Sequence, residues 1–425
     1  MPVLRSHALL SAFTVAGALA QSNSTGSPAN ATGSIVSLPY SYTYLLPDGF
    51  QGNVNSSFFN GTTTSNSTIN SALRAAQQAP FVAYDPEFYE IFGSNPEITL
   101  VQDRTAQDDY FAYEAGVWVP EKNEAWFSSS TYQAARSSKV TVLNLNTSAV
   151  STLNTTGARI TDFNGGYYFE GKVYFTTFPS NTTFRGGIYA IDVQTLNVEP
   201  VINSYFGLPF LSPDDVAWAT QGSDKYMYFT DFPFSSLAFG ETAPSPQLPS
   251  GVWRWDPQGE VLQQVITRND MTPNGVRVSP DQRTLYVTDS SPTYFAADPS
   301  AAVGAGSESW LGPYIYRFDL DEDMYPVNRR PFGLVREYIA DGMHVDDAGR
   351  VWTAEGEGIV IRKAKNGKVL GVVNRQYFLA DKSEDAIPIA NFALAGDKLV
   401  IGAVTRLYTV QLAKTIVSKD SSIVN

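Results

Sequence analysis

Apolar, β-branched and aromatic residues along this chain gather into short runs, and one such phrase recurs six times. The copies are Glu124-Ala-Trp-Phe-Ser-Ser, Lys172-Val-Tyr-Phe-Thr-Thr, Tyr226-Met-Tyr-Phe-Thr-Asp, Thr284-Leu-Tyr-Val-Thr-Asp, Arg350-Val-Trp-Thr-Ala-Glu and Lys398-Leu-Val-Ile-Gly-Ala. Each follows a Gly, Asp or Asn turn, as a buried strand should. Successive copies begin between 48 and 66 residues apart, a period that signals a radial array. Before each copy stands a strand with a characteristic opening residue: Glu114, Asp162 or Asn164, Asp214, Asn274, Asp341 and the apolar Ile389. After each comes an alternating strand such as Gly251-Val-Trp-Arg-Trp-Asp, then a less regular fourth such as Glu260 to Thr267. Four strands in each of six units predict an all-β fold, a six-bladed β-propeller with a central channel. The last unit lacks its outer strand. Pro96 to Gln102 can supply it and close the ring, and Thr415-Ile-Val-Ser-Lys competes for that place.

The ends of the pattern set the domain boundaries. Residues 1–20 join a basic start (Arg5, His7) to the apolar stretch Ala8 to Ala20, ending in Ala18-Leu-Ala20. They read as a secretory signal peptide, too short to span a bilayer. Residues 21–79 are rich in Ser, Thr and Asn and read as a glycosylated extension, partly ordered at best, with a short helical pattern at Ser71 to Gln78. Residues 80–425 form the propeller. Eight N-x-S/T sequons, at Asn23, Asn30, Asn55, Asn60, Asn66, Asn146, Asn154 and Asn181, agree with a secreted, extracellular protein. Cysteine is absent, which excludes thiolate catalysis and disulfides, and a chain of this length can bury a sufficient core without them. A net charge of −13 argues against nucleic acid or an anionic membrane as partner.

The first strand of each propeller blade lines the channel, so its opening residue lies near one mouth. Glu114, Asp162 or Asn164, Asp214, Asn274 and Asp341 would then converge on one axis, a costly concentration of like charge without a cation. Oxygen ligands from carboxylates and amides suit Ca2+, or another hard divalent cation. Zinc is disfavoured, since no Cys is present and His344 is the single histidine beyond the signal peptide. Glu114, Asp214 and Asp341 bring three negative charges against two positive, and Asp214 is the candidate to stand outside the ligand set. His344, three residues beyond Asp341, is suited to move a proton near neutral pH; packing between blades is the equal alternative. Asp231, Asp256, Asp289 and Asp319 recur at strand ends and read as turn and loop caps away from the channel mouth. No G-x-S-x-G elbow, H-E-x-x-H helix or Walker loop is present.

At these residues the chain resembles the senescence marker protein/gluconolactonase/luciferin-regenerating-enzyme-like family. The likeness rests on Glu114-Ala-Gly-Val-Trp, on Pro273-Asn-Gly-Val-Arg-Val-Ser-Pro-Asp281 with Leu285-Tyr-Val-Thr-Asp-Ser290, and on Asp341-Gly-Met-His-Val-Asp with Gly349-Arg-Val-Trp. The sequons, the lack of Cys and the extension look most like its secreted fungal lactonohydrolases. The resemblance implies a calcium-dependent hydrolase of a small lactone, an aldonolactone or hydroxy-acid lactone. It implies Glu114, Asn274 and Asp341 as metal ligands, with Asp341 also the acid/base. Asp214 stands where many members have Asn, and would face substrate or complete the metal shell. A catalytic role for His344 is not inherited from the motif. The rival expectations are an esterase or paraoxonase-like hydrolase on the same scaffold, and a non-catalytic calcium-stabilised binding propeller.

Overall fold

The computed structural model describes residues 29–53, 56–129, 138–179, 184–234, 247–267, 270–290, 313–383 and 386–418. The signal peptide, Asn23, Asn55 and Asn181 lie outside them. Six sheets stand in a ring, and each of the first five holds four strands from one repeated unit. The first blade comprises Glu114–Val119, Glu124–Ser128, Val140–Asn144 and Val150–Thr152; the second Phe163–Phe169, Lys172–Thr177, Gly187–Asp192 and Asn197–Ile202. The third runs Pro213–Gln221, Asp224–Asp231, Gly251–Asp256 and Val261–Thr267; the fourth Pro273–Val278, Thr284–Asp289, Tyr314–Leu320 and Pro326–Leu334. The fifth holds Met343–Val345, Val351–Glu355, Gly358–Arg362 and Val369–Asn374. The phrase read from the sequence is the second strand in these five blades. Its apolar side chains fill the layers between blades: Trp126, Phe127, Phe175, Phe229 and Trp352 are fully buried.

The sixth blade draws on both ends of the chain. Phe392–Ala403 and Arg406–Val417 come from the C-terminal side, and Glu97–Asp103 bonds to the latter with Ile98 opposite Val410 and Leu100 opposite Tyr408. The early strand therefore closes the ring as expected, but in third place rather than outermost. Ala29–Thr32 takes the outer position. The competing tail does not replace it, because Ile416 and Val417 turn back to pair with Gly396 and Ala395. Early and late segments of the chain thus pair in one sheet and close the ring.

Residues 35–79 are more ordered than their composition suggests. Phe81–Ala83 adds antiparallel to the fifth blade, and Ile35–Ser37 adds parallel to that strand. The helix Ser67–Gln78 is capped by Asn66, whose Oδ1 accepts from the amides of Thr68 and Ile69. Its Ile69, Leu73 and Ala76 lie on one face at helical spacing and pack with Leu38, Phe59, Val82, Val360 and Val372. A few apolar residues at the right period suffice to dock a segment whose average composition is polar. Among the described residues no helix is long and apolar enough to cross a membrane.

Candidate functional site

The opening residues are aimed by a shared irregularity. In the first four blades the ladder between first and second strand breaks at the opening residue, between Glu114 and Val117, Phe163 and Gly166, Pro213 and Val216, and Pro273 and Val276. Such β-bulges re-aim a side chain that a regular pleat would turn along the sheet. The next residue is Gly in three blades for a steric reason. A Cβ on Gly165 would lie 2.2 Å from the Asp214 carbonyl oxygen, one on Gly275 2.5 Å from that of Asp341, and one on Gly342 2.3 Å from the Asn391 amide nitrogen. Neighbouring blades thus approach backbone to backbone where the site residues sit.

Glu114, Asn164, Asp214, Asn274 and Asp341 come together with Asn391, linked pairwise. The Asn164 amide donates to Asp214 at 2.5 Å, that of Asn274 to Asp341 and that of Asn391 to Glu114. Of the alternatives in the second blade, Asn164 is the buried residue at the site, whereas Asp162 binds the Thr161 hydroxyl outside it. Ile389, expected as the sixth opening residue, is buried in the apolar core. Asn391 occupies the site instead. Counting back from the phrase over a strand and turn of unequal length misplaced that position by two residues.

The electrostatics follow from burial. Burial, then the charges of Asp341, Asp214 and Asp215, lifts the Glu114 carboxyl well above its usual range, against the Asn391 hydrogen bond. Burial likewise raises Asp214, with Asp341 and Asp215 adding to it and Asn164 opposing. Asp341 is pushed up to about 7 by burial, with Asp215 adding and Asn274 opposing. Three carboxylates therefore share a confined site, where the charge of Asp341 disfavours the ionisation of Glu114 and Asp214 and the charge of Asp215 that of all three.

Asp215 and Arg277 escaped the sequence reading. They form a buried ion pair at 2.6 Å. Asp215 also accepts from the Val276 amide, and Arg277 donates to the carbonyls of Val216, Val276 and Gly166, joining blades two, three and four. The signal was an Arg inside an apolar channel strand, which demands a buried partner. Asp231 and Asp289 also need correction: they lie at the site end of their blades. Antiparallel pairing sets the end of the second strand beside the start of the first, so Asp231 faces Pro213 and Asp289 faces Pro273. They do cap loops, Asp231 accepting from the amides of Leu211 and Ser212 and Asp289 from that of Thr272. Asp256 and Asp319 are at the far end, as expected, holding Gly259 and Arg330.

His344 lies about 10 Å of extended chain beyond Asp341. It is fully buried, with its ring edge-on to Phe392 and Nδ1 3.4 Å from the Ser418 hydroxyl. These contacts belong to the seam between the fifth and sixth blades, near the turn at Asp346.

The donor set suits a hard cation: the buried carboxylates of Asp214 and Asp341, the half-buried one of Glu114 and three amides offer only oxygen donors, with negative charge in excess. Among the described residues no three His, Asp or Glu side chains form a metal-holding group alone, so amide oxygens would have to complete the shell. A cavity of about 450 Å³ lies beside the sixth blade, lined by Tyr110, Leu379, Ile387 and Val404 among others. Its walls include the segments that lead into Glu114 and Asn391.

Comparison with known proteins agrees with this architecture. Residues 112–302 match the model of the SMP-30/Gluconolactonase/LRE-like region. That stretch is similar to the members of this family. Lactonohydrolase oryH of Aspergillus oryzae is 25% identical over 79% of this chain and 83% of its own length. Lactonohydrolase oryL of the same organism is 28% identical over 67% of this chain and 65% of its own. The solved structure of a Xanthomonas campestris gluconolactonase superimposes with a TM-score of 0.56 at 21% identity, over 78% of this chain and 95% of that one. The bulged first strands of blades one to four, which carry Glu114, Asn164, Asp214 and Asn274, all fall within the matched region.

Proposed function

We propose that the channel mouth is the active site of a calcium-dependent hydrolase of small lactones. The observation that carries this reading is the convergence of Glu114, Asp214, Asn274 and Asp341 from four blades into one buried site with uncompensated negative charge. The names of the fungal and bacterial relatives support lactone hydrolysis. Glu114, Asn274 and Asp341 would hold the cation, with Asp214 completing the shell or facing substrate. When bound, calcium polarises the lactone carbonyl and stabilises negative charge on its oxygen.

The protein side of the reaction is proton handling and orientation. Asp341 is buried beside the proposed cation site, where its carboxylate would take a proton from the attacking water and return it to the leaving alkoxide as the ring opens. The Asn274 amide fixes its orientation, and Asn164 fixes that of Asp214. His344, held by Phe392 and Ser418, has a packing role in this reading.

Turnover of a panel of aldonolactones, hydroxy-acid lactones and aryl esters, with and without a calcium chelator, tests the proposal. Wild-type protein should open lactones in preference to esters and lose activity with the chelator. Asn274→Ala should remove turnover. Full activity in either the stripped protein or N274A would refute the metal's role, and preference for aryl esters would move the assignment to an esterase. Calcium stabilisation without turnover would mean a binding propeller. We further propose export and glycosylation, supported by the exposure of Asn66, Asn146 and Asn154. A mass shift on enzymatic deglycosylation of protein secreted by a fungal host tests it.

A further inference from the structure

The fifth residue of the recurring phrase follows a rule that tracks the site. It is Ser128, Thr176, Thr230 and Thr288 in blades one to four, and Ala354 and Gly402 in blades five and six. Each of the four hydroxyls is fully buried and donates to a backbone carbonyl of the following blade. The acceptors are the site residues themselves: Ser128 bonds the Asn164 oxygen at 2.8 Å, Thr176 that of Asp214 at 2.7 Å, Thr230 that of Asn274 at 2.5 Å, and Thr288 that of Asp341 at 3.4 Å. Two of them also accept from the first strand of their own blade. Thr230 Oγ1 takes the Asp215 amide at 2.9 Å and Thr288 Oγ1 the Gly275 amide at 2.7 Å. A single hydroxyl therefore ties two bulged strands together where no regular ladder can.

The two exceptions fit the same logic. Where Ala354 stands, the Gly342 amide donates directly to the Ala390 oxygen at 3.0 Å. Where Gly402 stands, Ala112 pairs with Val404 across the seam. Backbone closes those two seams without a side chain.

We propose that Ser128, Thr176, Thr230 and Thr288 are positioning residues that set the spacing of Asn164, Asp214, Asn274 and Asp341, and so the affinity of the site for its cation. This rests on the proposed function, because the cation is what reads the spacing. A hydroxyl removed here takes a partner from a buried carbonyl, and at Thr230 and Thr288 from an amide as well, and the strand carrying a ligand moves to find new partners.

The test compares Thr230→Val, Thr288→Val and their Ser counterparts with Thr177→Val in the full chain. Thr177 is a buried hydroxyl one residue further on that bonds Gly187 inside its own blade at 3.2 Å. Calcium affinity is read by titration calorimetry, kcat and KM on a lactone, and amide exchange at Asp215 by hydrogen exchange. T230V should lose about tenfold in calcium affinity, the factor ~1.4 kcal/mol represents, T288V less because its bond is longer, and T230S should recover most of it. T177V should lower the melting temperature without changing affinity. Equal calcium affinity in T230V and wild type, or an equal loss in T177V, overturns the proposal. If T230V does not fold, T288V against T288S decides on the same criteria. If wild-type protein binds no calcium and opens no lactone, the proposed function falls. The latch is then judged by exchange alone: faster exchange at Asp215 in T230V than in T177V upholds it, and equal exchange overturns it.

Discussion

Replacing Arg277 with Met would test the charge balance of the channel most directly. Arg277 and Asp215 are both almost fully buried and meet at 2.6 Å. Three backbone carbonyls take further hydrogens of the guanidinium, so its desolvation is well compensated in place. Met fills much of the same volume but strands the Asp215 carboxylate among Glu114, Asp214 and Asp341, each of which already feels its charge. Removing one member of a buried pair costs about 3–5 kcal/mol, and the upper end suits a site this acidic. Asp215→Asn should cost a similar amount by leaving the guanidinium uncompensated. The double variant removes both charges and should return most of the loss. Urea unfolding in the presence of chelator measures all four proteins, and a coupling of about 2 kcal/mol or more is expected. Calcium should then rescue R277M more than wild type, since the added cation meets one more negative charge. Additive losses in the double variant would show that Arg277 acts through packing alone.

Three further outcomes follow from the same structure. Gly275→Ala places a Cβ 2.5 Å from the Asp341 oxygen; it should depress kcat far more than stability, whereas Gly52→Ala, with nothing within 4 Å, should change neither. Glu357 is buried and pushed up from 4.5 to about 7, so the folded state holds its proton more tightly than the unfolded chain. The resulting stability is complete below pH 4.5 and lost as pH rises through 7, about 3 kcal/mol at ~1.36 kcal/mol per pH unit. Glu357→Gln, which can still accept from the Phe58 amide, should flatten that dependence in denaturant titrations at pH 5 and 8; an unchanged slope would refute it. His344→Gln should lower the melting temperature but leave the pH profile of kcat in place, and a displaced profile would restore His344 to the proton path.

The ring was legible because it is written in alternation. A buried strand needs apolar side chains at fixed spacing, and six copies at similar intervals leave few other folds. The docked segment at residues 35–79 was hidden because the face made by Ile69, Leu73 and Ala76 is narrow and its surroundings are polar. Asn391 was missed for a different reason. The strand and turn before the phrase differ in length between blades, so counting back from Lys398 fell on Ile389, two residues early.

The site was half legible for a reason that also explains its design. The first signal was a departure from repetition, where the first strand opens with Glu114, Asp214, Asn274 or Asp341 in place of an apolar residue. Chemistry at the mouth requires such departures, because six identical strands would present six identical groups. The supporting residues repeat instead: Asn164-Gly165, Asn274-Gly275 and Asp341-Gly342 share a close approach of backbones, and Ser128, Thr176, Thr230 and Thr288 share one bond across the seam. On sequence alone these dipeptides resemble hairpin turns and these hydroxyls resemble ordinary strand residues. Their function depends on a neighbour in the next blade, roughly 50 residues away along the repeat. Periodicity within a strand therefore reveals the core, and the exceptions to it reveal the ligands. Only the register between blades reveals what holds those ligands apart.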